Sequence, residues 1–232
     1  TVILPALSVS VAKNKAEDYQ ATLQWGLIIM LVVSLPSVAG LVVLSEPILM
    51  TLFMRDQFSL LDVSMTQVAF WGYGIGLVPI VMIKLLAPVF YANKDTKTPV
   101  RIAICAIIFT QILNFIFLMV LPAGIKHAGL AMAISGGAWL NAVALVIKLR
   151  SRGLFVDDNK WLVVLRDSML ATLLMSIVIF FAAREVDWLL QGAWERLGVL
   201  VAIIVLGVIT YSCVLLILGR RVGDFLRSRV SE

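Results

Sequence analysis

The chain has 232 residues, of which 61% are hydrophobic and 14% are charged, and its mean hydropathy is +1.02. Because soluble domains carry about 25% charged residues, this composition excludes an ordinary water-soluble fold. The net charge of +5 does not indicate a nucleic-acid partner, since the basic residues lie in short connectors between apolar runs, where lipid headgroups are the expected anions.

The first residues read as an incomplete membrane span. Residues 1–11 (TVILPALSVSV) are apolar but too short to cross a bilayer, and they lack the basic start of a signal peptide. We interpret them as the end of a truncated transmembrane helix, so the chain is expected to be the C-terminal part of a longer protein. Residues 12–23 are predicted to form a connector.

Six later runs are long enough to cross about 30 Å of hydrocarbon as helices. Backbone amides in lipid must be paired within the protein, and the runs lack the alternation of barrel strands, so an all-α polytopic membrane fold is predicted. The predicted spans are residues 24–44, 67–91, 101–121, 128–148, 161–183 and 197–219. A short interfacial helix is expected over 46–58, and a tight turn over 122–127.

The basic residues divide unequally between the two sides of this arrangement. The poorer side holds Arg55, Lys126, Arg184 and Arg196. The richer side holds Lys13, Lys15, Lys94, Lys97, Arg101, Lys148, Arg150, Arg152, Lys160, Arg166, Arg220, Arg221, Arg227 and Arg229. Because basic loops stay inside, the richer side and the C-terminus are predicted to be cytoplasmic.

Several residues receive structural rather than chemical interpretations. Cys105 and Cys213 fall inside apolar runs and are interpreted as small core residues, not as a disulfide or metal ligands. His127 is interpreted as a solvated residue of an outer turn. The tryptophans near span ends are expected to form an interfacial belt; they are Trp25, Trp161, Trp188 and Trp194.

Lys84 lies inside a predicted span, where an ionisable residue is costly and usually serves a purpose. About 10 Å of helix separates it from Tyr91, so its side chain either snorkels to the cytoplasmic headgroups or faces a hydrated cavity. We identify no Asp or Glu well inside a span, so the expected partner of Lys84 is water, a carboxylate outside this chain or an anionic ligand bearing phosphate. The same lack of an internal acid, base or metal cluster argues against an enzyme.

Three amides within spans are candidates for binding a substrate or a cation. They are Gln111, Asn114 and Asn141, and a cation site would also use Thr110 and backbone carbonyls. The alternative is that they form hydrogen bonds between helices, as polar residues in membrane bundles commonly do.

Glycine and proline predict close helix contacts and bends. Gly72 with Gly76, and Ala133 with Gly137, form small-xxx-small pairs that favour tight packing. Three prolines interrupt predicted spans, and such breaks are tolerated only where neighbours or a cavity satisfy the backbone; they are Pro36, Pro79 and Pro88. Packing is the first interpretation of these residues, and gating by Pro79 and Pro88, with Gly72 and Gly76, is the second.

The stretch over 84–100, KLLAPVFYANKDTKTPV, resembles the signature of the MurJ (MviN) lipid II flippases of the multidrug/oligosaccharidyl-lipid/polysaccharide (MOP) exporter superfamily. TVILPALS at 1–8, SEPILMTLFMRDQF at 45–58 and KHAGLAMAIS at 126–135 agree in order and spacing. The resemblance implies a transporter of fourteen helices in two lobes. This chain would supply the end of helix eight and helices nine to fourteen.

By this resemblance the whole protein would be a transporter, not an enzyme. It would move lipid II, the undecaprenyl-pyrophosphate-linked peptidoglycan precursor, from the inner to the outer leaflet of the bacterial inner membrane by alternating access. This step would serve cell wall biogenesis and cell shape. The expected partners are lipid II, membrane lipids and the missing N-terminal lobe, with no cofactor; a monovalent cation or the membrane potential would supply the energy.

The resemblance also divides the chain into parts. Residues 12–148 would complete the C-terminal lobe, and residues 149–219 would add two helices that form a groove for the lipid tail, before a basic cytoplasmic tail over 220–232. The connector motif would orient two helix ends; it comprises Asp95, Thr96, Lys97 and Pro99.

Two other functions are kept as alternatives. One is a different exporter of the same superfamily, carrying another polyprenyl-linked glycan or a drug. The other is a membrane scaffold that recruits cell-wall enzymes without transporting anything. A scaffold would not need Lys84, so a variant without that side chain distinguishes a scaffold from a transporter.

Overall fold

The computed structural model describes residues 16–54, 58–153 and 160–219. This part of the chain forms seven α-helices and one 3-10 turn, Ala123–Ile125, and contains no strand. The helices are α1 (Ala16–Val43), α2 (Ser45–Phe53), α3 (Leu60–Ala92), α4 (Lys97–Val120), α5 (Lys126–Ser151), α6 (Lys160–Arg184) and α7 (Ala193–Ile217). All except α2 are long and apolar enough to cross a membrane. The predicted all-α fold with six spans is confirmed, while the predictions for 1–11 and 220–232 lie outside the described residues.

The helices extend beyond the apolar runs that predict them. The predicted connector over 12–23 is wrong from Ala16 onward, where α1 begins, and α3 begins at Leu60 instead of residue 67. Ser59 caps α3, because its Oγ accepts a hydrogen bond from the Asp62 amide at 3.3 Å and its own amide donates to Asp62 Oδ2 at 2.8 Å. Polar residues therefore extend the helix beyond the apolar run that a hydropathy profile detects.

The short helix α2 ends earlier than predicted and contributes to the core. It covers Ser45–Phe53, and residues 55–57 lie outside the described part of the chain. One side of α2 is buried through Leu49 and Met50, while Leu52 and Phe53 are exposed. The helix thus packs into the bundle by one face only.

The predicted turn over 122–127 is shorter than expected, because α5 already begins at Lys126. His127 lies in its first turn, and the ring Nε2 is 2.7 Å from the carbonyl oxygen of Met65 in α3. His127 therefore lies in a helix and not in a turn, and its partly exposed ring links α3 and α5.

Two apolar clusters hold the helices together, and α1 belongs to both. The first joins α1 and α2 to the last two helices through residues such as Leu49, Met175 and Leu200. The second joins α1 to α3 and α5 through residues such as Leu23 and Phe90. α6 and α7 consequently attach to the rest of the bundle through α1 and α2.

Glycines allow α3 and α5 to approach closely. A Cβ placed on Gly72 would come within 2.9 Å of Ala131 Cβ, and one on Gly76 would overlap Ser135 Oγ. The Ser135 hydroxyl donates a hydrogen bond to the Gly72 carbonyl at 2.5 Å. Packing, the first interpretation of the Gly72–Gly76 pair, is confirmed.

Replacing Gly76 by leucine is expected to destabilise the protein, because the side chain would press against Ser135 at a contact without free space. Overpacking of this kind costs about 1–3 kcal/mol. The thermal unfolding midpoint of the full-length protein in detergent measures the effect. Gly198→Leu is the control, since a Cβ at Gly198 meets nothing within 4 Å. Equal midpoints for the two variants would show that the contact is not tight.

Three residues assigned to the core or the interface lie elsewhere. Cys105 and Cys213 are free and exposed on the outer faces of α4 and α7, so their assignment to the core is wrong; a small thiol is tolerated on a face that meets lipid. Trp188 is 9% exposed and its Nε1 donates to the Ala183 carbonyl at 2.9 Å. It caps the end of α6 inside the core, so its assignment to an interfacial belt is wrong.

Candidate functional site

Lys84 lies on a face of α3 that the described helices leave uncovered. Tyr73, Val81 and Tyr91 share this face at helical spacing and are 48%, 37% and 42% exposed. We call it the Lys84 face. α5 packs against a different side of α3, through Gly72. The Lys84 ammonium is therefore available to solvent, lipid headgroups or a partner surface.

Pro88 adds a second polar group to the Lys84 face. Proline has no N–H, so the Lys84 carbonyl loses the donor that an unbroken helix would supply four residues later. Among the described residues no side chain donates a hydrogen bond to this carbonyl. Since an unsatisfied carbonyl is costly in hydrocarbon, the ammonium and the carbonyl together favour contact with water or a polar ligand.

The three predicted amides do not form one cluster with Lys84. Asn114 Nδ2 donates to Gln111 Oε1 at 3.3 Å within α4. Contacts of Gly137 with Thr110 and of Gly129 with Phe117 show that α4 and α5 are antiparallel. This register places Asn141 of α5 about 12 Å from the level of Asn114 along the helices. Gln111 and Asn114 are thus together, whereas Asn141 is separate from both.

Two of these amides retain unused acceptors. The Oδ1 atoms of Asn114 and Asn141 are buried, and within the described residues neither accepts a hydrogen bond. A buried carbonyl oxygen without a donor can coordinate a cation or accept a hydrogen bond from a further helix. The geometry is compatible with both interpretations made from the sequence.

An apolar groove of about 500 Å³ opens between α1, α2, α6 and α7. Its walls include Gly40, Ile48, Ile179 and Val208, and the Tyr211 side chain lies at one wall. A cavity with this lining suits a hydrocarbon chain better than a polar ligand. The last two helices therefore do contribute to a groove, together with α1 and α2.

The connector between α3 and α4 makes a compact turn. Lys94 adopts a left-handed conformation with φ of +57°, and the Asp95 amide donates to the Phe90 carbonyl at 3.0 Å. Asp95 Oδ1 accepts a hydrogen bond from the Thr98 amide at 3.0 Å. Thr96 precedes the first residue of α4 without a side-chain cap, so Asp95 supplies the cap instead.

Asp95 also ties the connector to α5. Its Oδ2 is 2.7 Å from Arg152 Nη2, and the Arg152 guanidinium lies over the Phe90 ring, 5.3 Å from its centroid. The hydrogen bonds from Thr98, and then Arg152, hold the pKa of the Asp95 carboxyl well below its ordinary value. Asp95 stays ionised through the physiological range, and three helix ends are fixed together. Lys97 and Pro99 lie in the first turn of α4.

Asp167 is a buried carboxylate that the sequence did not reveal. It lies in α6, is 3% exposed, and accepts hydrogen bonds at Oδ1 from Arg166 Nε at 3.1 Å and Nη2 at 2.9 Å. The statement that no Asp or Glu lies within a span is therefore wrong. Its spacing from the buried residues Val164 and Ala171 was the signal. Arg166 lies beside the carboxylate and offsets its charge locally.

Comparison with known proteins identifies relatives that match nearly the whole chain. A family profile described as lipid II flippase MurJ matches residues 1–218. The chain is 36% identical to the lipid II flippase MurJ of Burkholderia cenocepacia over 98% of the chain and 44% of that protein. It is 35% identical to a probable lipid II flippase MurJ of Vibrio cholerae, over 97% of the chain and 42% of that protein. The chain thus spans less than half the length of these curated relatives.

A solved structure shares the fold. It is a lipid II flippase MurJ in an inward closed conformation, with a TM-score of 0.66 and 23% sequence identity, and the match covers 95% of the chain and 44% of that structure.

Proposed function

Since the chain belongs to the lipid II flippase MurJ family, we propose that it forms the C-terminal lobe of a protein that moves lipid II from the inner to the outer leaflet of the bacterial inner membrane. The observation that carries the proposal is the family match over residues 1–218. The protein acts as a transporter and not as an enzyme, because translocation makes and breaks no covalent bond.

In this proposal Lys84 binds the pyrophosphate of the substrate. Its ammonium and the carbonyl freed by Pro88 lie on the uncovered Lys84 face, which becomes a wall of a hydrated cavity when the other lobe is present. A cation in a low-dielectric cavity attracts a diphosphate far more strongly than one in bulk water. Charge attraction of this kind supplies orientation and capture rather than chemistry.

The apolar groove takes the polyprenyl tail. It is bounded by α1, α2, α6 and α7, and apolar residues form most of its lining. Gly40 contributes no side chain to the wall, and a Cβ placed there would meet nothing within 4 Å. The polyprenyl tail thereby stays in an apolar environment while the headgroup crosses a hydrated cavity. The tail is not exposed to water, and the charged headgroup is not exposed to hydrocarbon.

The basic end of the bundle, which carries Lys94, Lys97 and Lys148, faces the cytoplasm together with the C-terminus. Its connector holds the ends of α3, α4 and α5 together through Asp95 and Arg152. We assign this connector to rigid movement of the lobe, with bending at Pro79 and Pro88 and the tight Gly72–Gly76 contact as the pivot. The partners of the lobe are lipid II, membrane lipids and the N-terminal lobe.

Coupling to a monovalent cation would use either the Asn114 Oδ1 atom or the Asn141 Oδ1 atom, which lie at separate positions and have no donor among the described residues. Gln111 contacts Asn114 and contributes to the same polar spot. The alternative is that the membrane potential alone drives the transport cycle by acting on the charge of the cationic site.

A depletion experiment tests the proposal. The full-length protein is expressed in bacteria from which the native flippase is withdrawn, and growth and the amount of lipid II retained in the inner leaflet are measured. Restored growth with restored export of lipid II is expected. Export of a different polyprenyl-linked glycan without rescue would favour another exporter, and rescue by variants that do not transport would favour a scaffold.

A further inference from the structure

Three prolines interrupt long helices, and two of them, Pro36 and Pro79, share a feature that the third, Pro88, lacks. Pro36 lies within α1 and Pro79 within α3. Because proline has no N–H, the carbonyl four residues earlier loses its donor. The carbonyls concerned belong to Val32 and Ile75.

Both carbonyls accept a hydrogen bond from a side chain of a different helix. The Tyr211 hydroxyl of α7 donates to the Val32 carbonyl at 2.8 Å. Trp139 Nε1 of α5 donates to the Ile75 carbonyl at 3.2 Å. The donors come from positions 179 and 64 residues away, so no local helix preference explains the pairing.

From these two matching contacts we propose that Tyr211 and Trp139 are positioning residues, each of which holds a helix at its proline break; we call such a contact a latch. Each supplies the hydrogen bond that the proline removes, and thereby fixes the bend of α1 against α7 and of α3 against α5. Pro88 differs, since no described side chain donates to the Lys84 carbonyl.

The physical basis is the lack of competing water. In hydrocarbon an unpaired carbonyl is expensive, so a donor on a neighbouring helix is held more firmly than on a soluble surface. Tyr211 is 8% exposed and lines the groove beside Pro36. Within α1, the Ser37 hydroxyl next to Pro36 donates a second hydrogen bond, to the Val33 carbonyl at 2.7 Å. The Tyr211 contact consequently links the proline break of α1 to a wall of the groove.

A double-mutant cycle tests the Tyr211 latch in the full-length protein. Tyr211→Phe keeps the ring and removes only the donor, so in the Pro36 background it should lower the thermal unfolding midpoint in detergent by about 1–3 °C. In a Pro36→Ala background residue 36 has an N–H that pairs with Val32, so the same change should cost less than half as much. Tyr73→Phe, at a tyrosine that is 48% exposed, is the control and should leave the midpoint unchanged.

The outcomes are distinct. An unchanged midpoint for Tyr211→Phe, or an equal loss in the Pro36 and Pro36→Ala backgrounds, would overturn the latch. If Pro36→Ala does not insert, Trp139→Phe in the Pro79 and Pro79→Ala backgrounds provides a second cycle, in which an equal loss again counts against the proposal. The measurement does not depend on transport, so its result stands whether or not the protein moves lipid II.

Discussion

Replacing Lys84 by alanine in the full-length protein is expected to abolish translocation of lipid II while the protein remains inserted in the membrane. The ammonium lies on the uncovered Lys84 face, and no described helix packs over it. A hydrogen bond to a charged group contributes about 1.5–3 kcal/mol, so its loss corresponds to a rate loss of roughly 10- to 100-fold. Insertion should if anything improve, because a lysine within a span opposes it.

The measurement is the flux of lipid II in proteoliposomes, normalised to the amount of inserted protein. Lys84→Arg keeps the charge and should retain a substantial part of the flux. Lys148→Ala is the matched control, because Lys148 lies in the last turn of α5 and is exposed. Full flux in Lys84→Ala would remove Lys84 from the substrate site and leave snorkelling as its role.

The number and order of the spans could be predicted from the sequence, because hydropathy measures how favourably a segment transfers from water to lipid. The sequence was insufficient for the helix ends. Ala16 and Leu60 begin their helices among residues that water solvates well, so the apolar run starts later than the helix. Capping contacts such as that between Ser59 and Asp62 decide these ends.

The candidate site was predictable only in part. Lys84 stands out because its charge is costly wherever it points, whereas the face it occupies depends on which helices pack around α3. Asp167 escaped notice because the adjacent Arg166 makes the pair look like the polar start of a span, although its carboxylate is buried. The groove arises between two pairs of helices, α1 with α2 and α6 with α7, that are distant in sequence, and no local pattern encodes such a shape.

Filling the groove from Gly40 is expected to slow the transport of lipid II with a long prenyl tail. A tryptophan at this position would project into the cavity, since a Cβ there meets nothing within 4 Å. The bilayer is as apolar as the groove, so the tail gains packing contacts there and little hydrophobic free energy. Displacing on the order of ten carbon contacts of about 0.1–0.2 kcal/mol each predicts a loss of about 1–2 kcal/mol, or roughly 5–25-fold in flux.

Comparison of substrates makes the test specific to the tail. In proteoliposomes, Gly40→Trp should reduce the flux of the long-chain substrate and leave that of an analogue with a very short prenyl chain near the wild-type value, because the short chain does not reach the groove. Gly40→Ala tests the position without filling the cavity. Gly198→Trp tests a bulky residue at an exposed site outside the groove, where a Cβ also meets nothing within 4 Å. Equal losses for long and short chains would mean that the substitution distorts the lobe, and unchanged flux for both would show that the tail lies elsewhere.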